Sequence, residues 1–323
     1  MSDANTRRTG FDGGGGGGDG LAIRVRGLRK RYGEYEAVRG IDLDVRAGEV
    51  FGFLGANGAG KTTTIEILEG YRGRNAGEVR VLGIDPATPT SAWRDRIGLV
   101  LQDCRLNPAL TVRETLDLFA SFYAHPRRIG EVIELVGLAD KAEARLGTLS
   151  GGQQRRADVA LALIGDPDLV FLDEPTTGFD PSARREAWRM IEGLRDLGKT
   201  VLLTTHYMDE AQYLSDRVSI MREGRIVATG TPKELAGGQA RATRVTFRLP
   251  EGADPGALPL DPDTGVRHDG GHVTLETADA QRLLYRLLDW AERERLDLGG
   301  LEVRRPSLED IFLDLTGGGD GGE

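Results

Sequence analysis

The string Gly55-Ala-Asn-Gly-Ala-Gly60-Lys61-Thr62 constrains this chain more than any other feature. It fits the pattern G-x-x-x-x-G-K-[ST], a glycine-rich loop that joins a buried strand to a helix. The flanks agree. Gly48–Leu54 is an apolar run of strand length, and Thr63–Leu68 continues as a helix. Even with 46 glycines in 323 residues, random order would give the pattern about 0.01 times per chain, so the string is not an accident of composition. Backbone N–H groups of such a loop converge on phosphate oxygens. The helix start adds the positive end of its dipole. Lys61 supplies a point charge toward the β- and γ-phosphates, and Thr62 a hydroxyl for Mg²⁺.

A second acidic element stands 112 residues after Lys61. Leu169–Leu172 is a four-residue apolar strand, and Asp173 and Glu174 follow at its C-terminal end. Ligands of open α/β sheets bind at that edge. Asp173 suits Mg²⁺, held directly or through water. Glu174 suits a general base that polarises an attacking water. His206 follows the apolar strand Thr200–Thr204 and stands at another strand end. A third string, Leu149-Ser-Gly-Gly-Gln153, opens a helix 89 residues after Lys61, counted to Ser150. Its exposed N–H groups suit an anion; the plainer reading is an ordinary N-cap with Ser150 as the capping residue.

The remaining pattern organises the chain. Leu21–Arg26 and Ile41–Val45 alternate as half-buried strands. Trp93–Leu101 leads into Gln102, and Thr111–Leu146 turns to helical spacing through Val112, Leu116, Phe119 and Phe122. After Ile164 strands and helices alternate up to Gly230, which indicates an α/β domain with a largely parallel sheet. Near Gly237 and Gly238 the composition shifts. Residues 239–316 then read as a small α+β domain: strands Arg244–Leu249, Val273–Glu276 and Leu298–Arg304 and helix Ala278–Leu296. A terminal helix is capped by Ser307 and Asp310. The expected division is a Gly-rich disordered tail over 1–20, a main domain over 21–238 with a helical insert over about 103–164, the small domain over 239–316 and a flexible tail over 317–323.

Composition narrows the partners. A net charge of −9 disfavours nucleic acid. No apolar run reaches the length of a membrane span. The single cysteine, Cys104, excludes an intrachain disulfide and is read as a small buried filler. His268 and His272 flank two glycines and read as a turn rather than a zinc site. Asp261-Pro-Asp263-Thr-Gly265 lacks the later ligands of a calcium loop.

Phosphate loop, Ser150 string, acidic strand end and following histidine, in this order over roughly residues 21–236, resemble the nucleotide-binding subunit of an ABC (ATP-binding cassette) transporter. The resemblance implies an α/β P-loop cassette with a mixed, mainly parallel sheet, a helical subdomain and a small C-terminal α+β domain. It implies an ATPase with ATP and Mg²⁺ as cofactors. ATP would be held by Tyr32 stacking on adenine, by Asn57, Gly58, Gly60, Lys61, Thr62, Thr63 and Gln102, and in trans by Ser150, Gly151, Gly152 and Gln153. Mg²⁺ would take Thr62, Gln102 and Asp173, and catalysis would rest on Lys61, Glu174 and His206, the last as the γ-phosphate switch. Gly178-Phe-Asp180 resembles the D-loop that crosses a dimer interface.

The same resemblance implies a head-to-tail homodimer, or a heterodimer of cassettes, with ATP at the interface. A separate membrane permease is implied, with this chain peripheral on the cytoplasmic face of the membrane. Leu101 stands where many relatives have Pro and Phe179 where Leu is usual; neither removes a catalytic group, and only Phe179 bears on interface packing. Glu174–Pro181 and Pro306–Leu313 resemble the drug- and antibiotic-exporter branch of the daunorubicin-resistance type. The alternatives are a non-transport ABC-type ATPase, which would more often carry two cassettes or long coiled coils, and a nucleotide-dependent switch.

Overall fold

The computed structural model describes residues 20–100, 106–236, 243–250, 252–304 and 307–317. Gln102 and Cys104 therefore lie outside the described residues. In chain order the elements begin with Leu21–Tyr32 (β1), Tyr35–Arg46 (β2), Val50–Gly55 (β3), Lys61–Leu68 (α1), Ala76–Val81 (β4), Ser91–Arg94 (α2) and Ile97–Val100 (β5). Val112–Ala120 (α3), Ile129–Leu135 (α4), Gly151–Leu163 (α5), Leu169–Asp173 (β6), Pro181–Asp196 (α6), Thr200–Thr205 (β7), Met208–Leu214 (α7), Arg217–Arg222 (β8) and Arg225–Gly230 (β9) follow. The chain closes with Pro232–Leu235 (α8), Thr243–Arg248 (β10), Gly265–Asp269 (β11), His272–Thr277 (β12), Ala280–Glu294 (α9), Gly299–Arg304 (β13) and Leu308–Gly317 (α10).

A six-stranded sheet in the order β5-β6-β7-β3-β8-β9 carries the first unit. Its strands from β5 to β8 pair in parallel. Being buried on both faces, such strands lack the alternation of a half-buried strand, most plainly over Leu169–Leu172 of β6. Successive side chains nevertheless divide between two cores. Phe51, Phe53, Phe171 and Leu202 pack with α1 and with the antiparallel sheet β2-β1-β4. Val50, Val170, Leu172, Val201 and Leu203 pack with the helical insert through Val112, Leu116, Val132, Ile133 and Leu138. Each large side chain buried in this way contributes about 1.5–3 kcal/mol.

The structure differs from the sequence reading at several elements. β1 runs six residues beyond Arg26, because it turns directly into β2 with Tyr32 opposite Tyr35. β4 is not legible in the sequence: only Val79 and Val81 are buried, among exposed Ala76, Gly77, Glu78 and Arg80, too weak an alternation to read. Phe122 does not continue the apolar stripe of α3. That helix ends at Ala120, and the Phe122 ring is 71% exposed, edge-on to Phe119.

By packing, the chain divides into two units with the second beginning at Gly230, where α8 packs with α10. The second unit is an antiparallel sheet, β11-β12-β10-β13, with α9 and α10. Val245, Phe247, Val273 and Leu275 form its core with Leu283 and Leu287 of α9. β11 was not read as a strand because all five of its residues are exposed and leave no apolar alternation. The two histidines do flank a turn: Asp269 pairs with His272 across Gly270 and Gly271, at φ 54° and 85°. Two residues of positive φ are what a tight hairpin of the right twist requires. Asp261 pairs with Arg286 of α9, which holds its carboxyl below the usual range. The Ser307–Asp310 cap is formed, with Ser307 N donating to Asp310 at 2.7 Å and Asp310 N to Ser307 Oγ at 3.2 Å.

Glu69 ends α1 as a buried carboxyl, and burial pushes its pKa up to about 8, with the charges of Asp173 and Glu66 adding to the effect. A carboxyl raised in the folded state contributes its full stability below the unfolded value, and that stability is lost as pH rises through about 8. Glu69→Gln is therefore expected to melt with wild type at pH 5 and above wild type at pH 9; thermal melts across that range check it. Leu287→Ala should cost the second unit about 2–5 kcal/mol through the cavity it leaves, read as a lower denaturation midpoint.

Candidate functional site

The loop of the first unit is fixed by its glycines and its lysine. Gly60 sits at φ 104°, and a Cβ there would lie 2.4 Å from the Ala37 carbonyl oxygen and 2.8 Å from Met221 Cε. No side chain fits, so the loop closes on β2 and β8 only with Gly. Lys61 begins α1 at 8% exposure and donates Nζ to the carbonyls of Gly55 at 2.6 Å and Ala56 at 3.1 Å. The lysine thus holds the loop's curve while its own charge is poorly solvated. Burial lowers its pKa, opposed by the negative charges of Glu174 and Asp173. Asn57, Gly58 and Thr62 are exposed and Thr63 half-buried around it.

Parallel pairing brings the acidic strand end to the same edge, since β7 alone separates β6 from β3. Thr204 of β7 organises it. Its hydroxyl donates to Asp173 Oδ1, while the Glu174 N–H donates to Thr204 O and Oγ1, both at 3.1 Å. In the sequence Thr204 is only the end of a strand; nothing there signals a hydroxyl that donates to one residue, Asp173, and accepts from the next, Glu174. Glu174 adopts φ 44°, a left-handed conformation that costs a side-chain-bearing residue about 1–3 kcal/mol and concentrates at working sites. That backbone aims its carboxylate at His206: Oε1 lies 3.3 Å from Nδ1, and Oε2 accepts from the Thr177 hydroxyl at 3.1 Å. Lys61, Asp173, Glu174 and His206 therefore share one sheet edge.

The Ser150 string forms a reciprocal cap at the start of α5. Gln153 N donates to Ser150 Oγ at 3.3 Å, and Ser150 N to Gln153 Oε1 at 3.0 Å. Gly151 and Gly152 follow as the first helical residues. Arg155, on the same helix, donates to the carbonyl of Asp173 at 2.7 Å and that of Pro175 at 3.4 Å. The helix is thereby tied to the acidic strand end of its own chain, a link the sequence reading missed. Ser150, Gly151, Glu174, Phe179 and Asp180 line one cleft of about 750 Å³. Asp180 caps α6 ahead of Pro181, accepting from Ser182 N at 2.8 Å and Ala183 N at 2.9 Å, which lowers its pKa.

Tyr32 ends β1 with cations near its ring, Lys30 Nζ at 5.2 Å and Arg72 at 5.4 Å from the centroid. Among the described residues no three His, Cys, Asp or Glu side chains gather into a metal cage. One carboxylate, Asp173, and one loop hydroxyl, Thr62, are a donor set that suits Mg²⁺, which takes one or two protein ligands and fills the rest with phosphate and water. No helix among the described residues is long and apolar enough to cross a membrane.

Comparison with known proteins agrees with this geometry. Residues 38–177 match the ABC transporter family, and residues 243–307 match the C-terminal domain of ABC transporter domain-containing-like proteins. The daunorubicin resistance ATP-binding protein DrrA3 of Streptomyces coeruleorubidus is 39% identical over 92% of this chain and 96% of its own. The Nod factor export ATP-binding protein I of Burkholderia orbicola is 38% identical over 91% and 97%. Among solved structures, a dimeric structure of MJ0796, a bacterial ABC transporter cassette, superposes with a TM-score of 0.58 at 27% identity, covering 65% of this chain and 98% of that one. The loop, the acidic strand end and likeness along nearly the whole length of such relatives lead to one conclusion: this chain belongs to the ABC transporter family, as an ATP-binding subunit that hydrolyses ATP.

Proposed function

We propose that the chain powers a separate membrane permease that exports a drug, an antibiotic or another hydrophobic compound, and that it works as a head-to-tail pair of cassettes on the cytoplasmic face of the membrane. The Glu174–His206 pair, 3.3 Å apart at the sheet edge that also carries Lys61, is the observation that carries the catalytic half of this reading. Two of the most similar relatives are named for drug resistance and for export, which supports the transport half. MJ0796, named as a dimeric cassette, supports the pairing.

In this reading the loop N–H groups and Lys61 receive the β- and γ-phosphates. The γ-phosphate takes over the Nζ contacts now made to Gly55 and Ala56, which offsets the desolvation of the lysine. Tyr32 exchanges cation contacts for adenine stacking. Glu174 accepts a proton from the attacking water, and His206 contacts the γ-phosphate and orients that carboxylate. Ser150, Gly151, Gly152 and Gln153 meet the γ-phosphate bound on the partner cassette, where the start of α5 presents N–H groups and a dipole end. Asp173 and Thr62, with Gln102, would hold Mg²⁺, which would neutralise phosphate charge. Phe179 and Asp180 lie at the cassette interface.

Mg-ATP hydrolysis measured against protein concentration tests this directly. The wild-type rate should rise faster than linearly, and Glu174→Gln should lose about 10²–10⁴-fold while keeping ATP affinity. A Glu174→Gln protein that hydrolyses like wild type would overturn the base assignment. A wild-type protein that binds ATP tightly with no turnover, even in membranes with its permease, would favour a nucleotide switch. Gly60→Ala and Lys61→Ala should both lose ATP binding itself, checked by titration with a fluorescent nucleotide.

A further inference from the structure

Glu210 of α7 has no exposed surface, an uncommon place for a carboxylate. Its Oε1 accepts two hydrogen bonds, from the Thr176 hydroxyl at 2.7 Å and from the Trp188 indole Nε1 at 3.0 Å. Burial raises its pKa, opposed by the hydroxyls of Thr205 and Thr176, the Trp188 indole and the charge of Arg184. Arg184 also lies over the Tyr207 ring at 4.1 Å and pairs with Asp209 at 3.6 Å. A residue needed only to fill this space would be cheaper as an apolar one, because a buried carboxylate is costly unless its contacts repay it.

The positions of the partners give the carboxylate its meaning. Thr176 stands two residues after Glu174 and is itself fully buried. Glu210 stands four residues after His206. Trp188 lies on α6, the helix that Asp180 caps, and stacks on Tyr213 of α7 at 4.9 Å between centroids. Three segments that carry the proposed machinery therefore converge on one side chain. The left-handed backbone of Glu174 is held on its N-terminal side by Thr204. On its C-terminal side the first buried side-chain anchor is the Thr176–Glu210 bond. A strained φ persists only where its surroundings over-determine it, and these two bonds supply that on either side.

We propose that Glu210 is a positioning residue for ATP hydrolysis: through Thr176 and Trp188 it pins the turn after Glu174 to the turn after His206 and to α6, and so keeps the Glu174–His206 pair in register. The inference rests on the reading of Glu174 and His206 as catalytic. Glu210 touches neither ATP nor water in this scheme. Its loss misplaces the base without removing a binding group, so the effect falls on kcat and spares KM.

The test compares full-length wild type with Glu210→Ala, Glu210→Gln, Thr176→Val and Glu174→Gln in steady-state Mg-ATP hydrolysis and nucleotide titration. Glu210→Ala and Thr176→Val should lower kcat about 10–100-fold with KM and ATP affinity within about threefold, the scale expected for a displaced catalytic group. Glu210→Gln keeps an acceptor oxygen for Thr176 and Trp188 and should recover kcat to within about fivefold of wild type. If Glu210→Ala does not fold, Thr176→Val, which removes one hydroxyl without changing shape, carries the test alone. Wild-type kcat in Thr176→Val, an equal loss in the Gln and Ala variants, or KM rising in step with the fall in kcat would each overturn the proposal. If those three variants run like wild type while Glu174→Gln is inactive, only the positioning role fails. If Glu174→Gln itself runs like wild type, the base assignment fails and takes this inference with it.

Discussion

One hydroxyl, on Thr204, links the two strands on which the site depends. It donates to the Asp173 carboxylate and accepts from the Glu174 N–H across neighbouring parallel strands. Backbone partners run out where a parallel ladder ends; just beyond β6 the Glu174 N–H still reaches the Thr204 carbonyl, and the hydroxyl of that same threonine, near the C-terminal end of β7, adds a second acceptor. It orients Asp173, and it anchors the backbone of Glu174 in a conformation that few non-glycine residues adopt. Everything else at the edge follows from that anchor: the Glu174 carboxylate reaches His206 at 3.3 Å because its own φ turns it back toward β7.

What sequence could carry of this, it carried through local rules. The loop, the apolar strand before it and the helix after it are a single contiguous pattern, and α1 begins at the lysine of that pattern. β6 and β7 are legible because a strand buried on both faces has no polar interruption. The cap at Ser150 is likewise local, although its reciprocal half from Gln153 emerges only in the structure. The losses have a common cause, dependence on distant partners. β4 is a strand because β1 pairs with it, not because Val79 and Val81 declare one. β11 exists because β12 and a two-glycine turn hold it. Thr204, Arg155 and Glu210 look ordinary in sequence, and each matters through a contact made 18 or more residues away.

Arg155 shows how these links bear on the proposed cycle. It sits one turn into the helix whose start is proposed to meet the partner's nucleotide, and it grips the carbonyls of Asp173 and Pro175 on either side of Glu174. The start of α5 and the backbone that flanks Glu174 are therefore joined by two hydrogen bonds from one guanidinium, whose side chain is largely buried. Hydrogen bonds from a charged group are worth about 1.5–3 kcal/mol, enough that α5 and the acidic turn move together rather than independently. A phosphate arriving in trans at Ser150 would then be felt within the same chain at Glu174, by a path of one side chain.

Glu174 is in this way held from three directions. Thr204 fixes its N–H, Arg155 fixes the carbonyls that flank it, and Glu210 fixes the turn that follows through Thr176. The first bond comes from the neighbouring strand, the second from the helix proposed to sense the partner's nucleotide, and the third from the helix that follows His206. A strained residue restrained by three separate elements is less firmly held when any one of them shifts, so in the proposed scheme its alignment is best when β7, α5 and α7 are all in place. On the proposed reading of Glu174 as the base, hydrolysis would be contingent on the arrangement of the whole cassette, as work coupled to a permease requires: a base that stayed aligned in every conformation would spend ATP whether or not anything was moved.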